Sequence, residues 1–165
     1  MIELLIVIAI AAVLATIAVP SFRDMLNTTR QNSALGLVIN DLNQARGEAI
    51  KRNGRVLVCV RNTAGTDCLT STDWRLGWVV CSEGAANQCA VSTLTNPNPV
   101  LVRPALDPTL TLTAVDALAN AVGVIRFKAD STQGTGLVTM ALGGTWSGAT
   151  TRTISIAGTG NISKP

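Results

Sequence analysis

The sequence predicts an α+β protein in which one long N-terminal helix packs on an antiparallel, β-rich head. Three observations lead to this fold class. The chain begins with an apolar stretch broken by a single charge, residues 22–53 continue with helical spacing, and short β-branched segments alternate with turn residues from residue 54 onward. The length of 165 residues is about that of one domain.

The apolar stretch is the strongest single signal. Residues 4–19 read LLIVIAIAAVLATIAV without a charge, and only Glu3 interrupts the apolar residues before Pro20. As a helix, residues 2–19 would span roughly 27 Å, close to the ~30 Å hydrocarbon core of a bilayer. A signal peptide, an ordinary membrane anchor and a buried core helix are the alternatives. A carboxylate inside an apolar zone is costly, so Glu3 is expected to need a cationic partner.

The segment MIELLIVIAIAAVLATIAVPSF resembles the N terminus of type IV pilins and of the pseudopilins of type II secretion. The family glutamate falls on Glu3 and its helix-loosening proline on Pro20, while Met1 stands where the family has leucine. The resemblance implies that Glu3 pairs with the N-terminal amine of a neighbouring subunit in a helical filament, and that it acts in recognition during assembly. A buried carboxylate becomes tolerable when a cation shares its dry interface.

The helix is predicted to continue past Pro20, where the proline loosens or kinks it. From Leu35 to Ala49, apolar residues recur at spacings of three and four, which defines one helical face. The charged residues, Asp41 among them, are expected to fall mostly on the other faces. The Asn53-Gly54 pair is expected to end a helix of about fifty residues, on the order of 75 Å long. The regular stripe is too short for a coiled coil.

The remaining chain has the pattern of a β-rich head, either a sandwich or a barrel-like structure. The stretch AIKRNGRVLVC and the block DWRLGWVV also resemble the GspH/FimT subgroup of minor pseudopilins, whose heads are rich in strands. We therefore expect an assembly segment over 1–21, an amphipathic half-helix over 22–53 and a periplasmic head over 54–165. The predicted strands are 55–61, 78–81, 99–103, 109–113, 123–129, 136–142 and 152–157.

All four cysteines lie in the predicted head. An even count in an oxidising compartment indicates disulfides, and the preferred pairing is Cys59–Cys68 with Cys81–Cys89, because each bond would close a short loop. Two other pairings remain open. A zinc site made of the four thiolates is less favoured, since the spacings do not match paired CxxC motifs.

The composition argues against catalysis. The chain contains no histidine and no tyrosine, so histidine bases, His-containing triads and imidazole metal sites are excluded. We expect no enzyme activity, no cofactor and no metal. Asp67 and Asp73 are interpreted as turn-forming residues, and Trp74 and Trp78 as core anchors where helix and sheet meet.

The net charge of +3 is concentrated near the helix. Residues 23–61 contain seven basic and three acidic residues, whereas residues 62–165 contain six of each. Some FimT-like relatives bind DNA through basic residues near the C terminus. Here that region offers only Arg152 and Lys164, well short of a clustered basic footprint.

The resemblance implies a structural minor pilin or pseudopilin that inserts in the bacterial inner membrane by a single pass, with its head in the periplasm. It would join or prime a type IV pilus or a type II secretion pseudopilus. The implied partners are other pilin or pseudopilin subunits, inner-membrane lipid and the inner-membrane assembly platform. The alternative is a DNA-binding minor pilin that acts in DNA uptake.

Overall fold

A computed structural model describes residues 2–94 and 97–164, except for the side chains at positions 15 and 17–20. Helix α1 comes first, eight strands follow, and a short 3-10 helix, Trp74–Leu76, lies between the first two strands. The elements are α1 Ile2–Lys51, β1 Val56–Val60, β2 Trp78–Ser82, β3 Leu101–Val102, β4 Leu110–Asp116, β5 Val124–Phe127, β6 Val138–Gly144, β7 Arg152–Ile156 and β8 Ile162–Ser163.

Helix α1 ends where the Asn53-Gly54 pair predicts, by a Schellman-type turn. The Gly54 N–H donates to the carbonyl of Ala49 (3.1 Å), and the Asn53 N–H donates to that of Ile50 (3.1 Å). Asn53 takes the left-handed conformation, with φ of +45°, that this turn requires. The expected length of about fifty residues is confirmed, since the helix has 50.

The strands form two antiparallel four-stranded sheets, which we call sheet I and sheet II. Their strand orders are β3-β2-β1-β5 and β4-β6-β7-β8. In sheet I, β1 lies between β2 and β5, with Val58 opposite both Val80 and Ile125. All seven predicted strands are present with shifted ends, and the two-residue β8 was not predicted.

One main core joins the helix to both sheets. The stripe of α1 from Leu35 to Ala49 packs with side chains of sheet I such as Val58 and Phe127, and of sheet II such as Met140. A second, smaller cluster covers the opposite face of sheet I, so β1 and β2 are buried along their whole length. The head is therefore anchored to the second half of α1.

Candidate functional site

The first half of α1 exposes a large apolar surface. Ile2, Leu5 and Val13 are exposed to 75%, 60% and 62%, and Phe22 and Met25 are similarly open. Contiguous apolar surface of this kind marks a site of protein or membrane contact. By hydropathy, the described part of the chain contains no helix that is long and apolar enough to span a membrane.

Glu3 lies in the first turn of α1, where a negative charge interacts favourably with the helix dipole. It is exposed, and no ion pair or hydrogen bond reaches its side chain from residues 2–94 and 97–164. The structure thus places the carboxylate where a second chain can reach it. Its pairing with another subunit stays a prediction.

Pro20 lies within the continuous helix, and its side chain is outside the described residues. As a proline it has no N–H to donate, so the carbonyl of Thr16 lacks its usual helical partner. The Thr16 hydroxyl nearby donates to the carbonyl of Val13 at 2.7 Å. The role of Pro20 as a loosening point stays a prediction.

The second half of α1 is fixed to the head by an ion pair between a buried aspartate and a half-buried arginine. The guanidinium of Arg103 donates two hydrogen bonds of 2.8 Å to the Asp41 carboxylate, and the Trp78 indole N–H donates a third of 2.9 Å. Asp41 is buried, and it is an exception to the expectation that the helix charges fall mostly outside the packed face. The hydrogen bond to Asp41 raises the pKa of Arg103. Since Asp41 lies three residues after Val38 and four before Ala45, it belongs to the apolar stripe.

Ten residues before Asp41 on the same helix, Gln31 also joins helix and head. Its side-chain amide donates to the carbonyls of Leu142 (2.9 Å) and Thr150 (2.7 Å), and the residue is fully buried. Sequence reasoning missed this contact. The available signal was the position of Gln31 four residues before Leu35, which extends the stripe by one turn.

The preferred disulfide pairing is confirmed, with bonds Cys59–Cys68 and Cys81–Cys89. Cys59 and Cys81 are buried with Leu57 and Val79 on the outer face of sheet I. Each bond ties a loop back over that face. The four sulfur atoms all lie within 4.8 Å of one another, a proximity that the sequence spacing did not predict.

The two aspartates that were interpreted as turn residues do act in loops. Asp73 caps the 3-10 helix by accepting from the Arg75 N–H (3.1 Å), and the hydrogen bond from the Arg75 side chain lowers the pKa of Asp73. Asp67 accepts from the N–H groups of Cys68 and Cys89, both at 2.7 Å. It therefore bridges the two disulfide loops.

Trp74 and Trp78 both anchor the core, as expected. Trp74 is fully buried and donates to the carbonyl of Val122 at 2.7 Å, while Trp78 is 3% exposed and donates to Asp41. Buried indoles need such partners for their N–H groups. Trp74 thus joins the 3-10 helix to the rest of the head, and Trp78 joins β2 to α1.

The two basic residues considered for DNA differ in accessibility. Arg152 opens β7 opposite Leu142 and is half-buried, and its Nε is buried without a hydrogen-bond partner among the described residues. Lys164 is exposed just beyond β8. Arg152 is therefore only partly available to a phosphate, and Lys164 alone is fully open.

A long helix whose second half is embedded in an antiparallel head defines the pilin-like class of proteins. The chain belongs to the family described as type II transport protein GspH, whose model matches residues 34–160. This confirms the resemblance to minor pilins and pseudopilins, a structural family whose subunits are anchored in the inner membrane and assemble into pili or pseudopili.

Solved structures agree on the fold. The chain is similar to the type IV minor pilin FimU of Pseudomonas aeruginosa in two crystal forms. One has a TM-score of 0.63 and 21% identity over 84% of this chain and 90% of that chain; the other has 0.59 and 22% over 81% and 91%. A comparison with curated protein sequences gives no match.

Proposed function

We propose that this protein is a structural minor pilin or pseudopilin that inserts in the inner membrane through residues 1–21 and joins or primes a helical filament. The observation that carries the proposal is the contrast along α1. Its first half exposes apolar side chains that have no partner in the described chain, whereas its second half is locked into the head by Asp41 and Gln31. Such a helix suits a subunit whose exposed apolar half contacts lipid in the membrane and contacts the helices of other subunits in a filament.

The proposed partners are other pilin or pseudopilin subunits, which reach the exposed half of α1, and the assembly platform of the inner membrane. Glu3 is the polar contact in this interface. Its carboxylate pairs with the N-terminal amine of the next subunit, because only a matched cation makes a carboxylate tolerable in a dry contact.

Replacement of Glu3 tests this role. Breaking a buried charge pair by removing one partner costs about 3–5 kcal/mol, so Glu3→Ala should lower incorporation into filaments by more than about tenfold. Membrane insertion and head folding should be unchanged, because Glu3 has no contact with the described head. The measurement is the amount of the subunit in sheared filaments relative to its amount in the membrane fraction.

Asp24→Ala is the matched control, since Asp24 is another exposed acid on the same helix. It should leave incorporation close to that of the wild type. Equal recovery of Glu3→Ala and wild type in filaments would remove Glu3 from the interface.

The type IV pilus and the type II pseudopilus can be distinguished by the phenotype that follows loss of a subunit. Deletion of the gene should abolish surface pili in the first case and export of folded proteins in the second. Complementation with the full chain should restore whichever is lost, and restoration of neither would contradict the proposed class.

DNA uptake is the alternative role, and the partial burial of Arg152 gives it less support. If the tail captures DNA, the double variant Arg152→Ala with Lys164→Ala should weaken binding by about tenfold and flatten its salt dependence. A gel shift with the full chain in detergent, at two salt concentrations, measures this. Arg23→Ala with Arg30→Ala is a control of equal charge, and binding that survives loss of the tail residues would exclude the tail as the site.

A further inference from the structure

A largely apolar groove runs along α1 where the buried stripe of the helix begins. One wall is the helix from Thr29 to Leu37, and the other is the chain segment 103–107 that follows β3. The buried residues Trp78 and Leu110 line the groove from the head. Its volume of about 350 Å³ is enough to take up aliphatic side chains of a partner.

The two cations that line the groove are already paired. Arg30, on the helix wall, lies 3.5 Å from the carboxylate of Asp107 on the opposite wall. Arg103 lies 2.8 Å from the carboxylate of the buried Asp41. Because each arginine has its own carboxylate, the groove is electrically balanced and suits an uncharged, apolar partner.

The groove continues the exposed apolar face of the preceding helix. Phe22, Leu26 and Leu37 are exposed to 59%, 40% and 42%. Positions 22, 26, 30, 33 and 37 follow at spacings of four, four, three and four, which places them on one side of α1. The apolar surface proposed above as the subunit contact therefore extends into the head at this groove.

Residues 4–19 have the chemistry that the groove requires, since they form an uncharged helical run of apolar side chains. Side chains on one helix can pack into the gaps of another when the axes approach to about 8–10 Å. The same chain cannot supply this partner to its own groove, because α1 is continuous and residue 19 lies roughly 15 Å before Thr29 along its axis. The partner helix must therefore belong to a second subunit.

The position of the groove argues against lipid as its occupant. With residues 1–21 in the bilayer, as proposed, the groove begins roughly 12 Å beyond the membrane segment. The headgroup layer accounts for only about 5–8 Å on each side of the hydrocarbon core. Acyl chains therefore end below the groove, whereas the apolar helix of another subunit can reach it once assembly has drawn that helix out of the bilayer.

We propose that the groove between α1 and residues 103–107 receives the uncharged apolar half-helix of a neighbouring filament subunit. This inference rests on the proposed function and adds the surface of the head that takes up the helix. All subunits insert with their heads on the same side of the membrane, so the two helices are parallel. Contact of Leu37 with residues 4–19 of a neighbour then sets their stagger at roughly 27–50 Å.

A charge placed on either wall tests the groove. Leu37 and Ala105 are exposed residues on opposite walls. Leu37→Glu and Ala105→Glu should each lower recovery of the subunit in sheared filaments by more than about tenfold, because an unpaired charge is costly in an apolar contact. Ile50→Glu is the matched control, since Ile50 is an aliphatic residue of the same helix that is 52% exposed and lies outside the groove. Its recovery should stay within about twofold of the wild type.

Near-ultraviolet circular dichroism of the full-length variants in detergent should match that of the wild type, because all three positions are exposed. Photo-crosslinking identifies the occupant without adding a charge. Leu37→p-benzoylphenylalanine should crosslink, in filaments, to the N-terminal apolar segment of another subunit. The same product should be absent from membranes of cells that lack the assembly platform, and from filaments that carry Ile50→p-benzoylphenylalanine.

The groove and the proposed function fail in different ways. If Glu3→Ala lowers incorporation but Leu37→Glu and Ala105→Glu do not, the groove is not the receiving surface and the proposed function stands. An effect of Leu37→Glu without one of Ala105→Glu, or crosslinks from position 37 that reach only lipid or the heads of other subunits, also overturns the groove. If Glu3→Ala and both groove variants incorporate as the wild type does, the proposed role of α1 in assembly fails as well.

Discussion

Asp41 is a charged residue on the packed face of a helix, and its side chain is 2% exposed. Burial of a carboxylate costs several kcal/mol unless partners satisfy it. Arg103 and Trp78 supply three hydrogen bonds, two of them from the guanidinium fork. This single residue therefore ties α1 to β2 and to the segment after β3, and its orientation fixes how the helix meets the head.

Asp41→Ala should lower the free energy of unfolding by about 3 kcal/mol, because it leaves the Arg103 guanidinium and the Trp78 N–H without their acceptor. Urea denaturation of the full chain in detergent, followed by tryptophan fluorescence, measures the loss. Lys51→Ala is the comparison, since the Lys51–Glu48 pair is exposed on the lysine side and should change stability by less than about 1 kcal/mol. Equal losses of unfolding free energy in the two variants would show that the Asp41–Arg103 pair contributes no more to stability than an exposed pair.

At the scale of elements, α1 has two environments along one continuous helix. The apolar run and the three-four spacing predicted both halves, because each pattern follows directly from helix periodicity. The burial of Asp41 was not predicted, because a charged residue is normally assigned to the solvent face of a helix. Only its spacing from Val38 and Ala45 places it in the apolar stripe. The strand β8 was missed because two residues carry too little periodicity to indicate a strand.

The end of α1 depends on the backbone conformation of Asn53 at φ of +45°. The left-handed conformation costs a residue with a Cβ about 1 kcal/mol, and the cost is smaller for asparagine than for alanine. Asn53→Ala should therefore lower the free energy of unfolding by about 1 kcal/mol, whereas Asn53→Gly should change it by only a few tenths of a kcal/mol.

Denaturant unfolding of both Asn53 variants, side by side with the wild type, measures the difference. The two substitutions both remove the asparagine amide, so the contrast between them isolates the backbone conformation. If alanine and glycine at position 53 were equally stable, the helix end would not depend on a left-handed residue.

For the whole molecule, the two central strands of sheet I, β1 and β2, are buried on both faces. Antiparallel sheets commonly leave one face to water, and their strands then alternate between apolar and polar residues. Here β1 reads VLVCV and β2 reads WVVCS, nearly continuous apolar runs whose outer face is covered by the two disulfide loops. The runs were visible in the sequence. The proximity of the four sulfur atoms was not visible in the sequence. It follows from the register between β1 and β2, and the spacing of cysteines along the chain does not determine that register.

The two disulfides should therefore stabilise the head together and not independently. Removing one, as Cys59→Ala with Cys68→Ala or as Cys81→Ala with Cys89→Ala, is expected to lower the free energy of unfolding by about 2–5 kcal/mol. The loops share the Asp67 carboxylate and cover the same face, so loss of the first bond already loosens the support of the second. Removing both should then cost less than the sum of the separate losses by about 0.5–3 kcal/mol. Chemical unfolding of the oxidised wild type, the two double variants and the variant without all four cysteines measures this coupling. Strictly additive losses of unfolding free energy would show that the two disulfides stabilise the head independently.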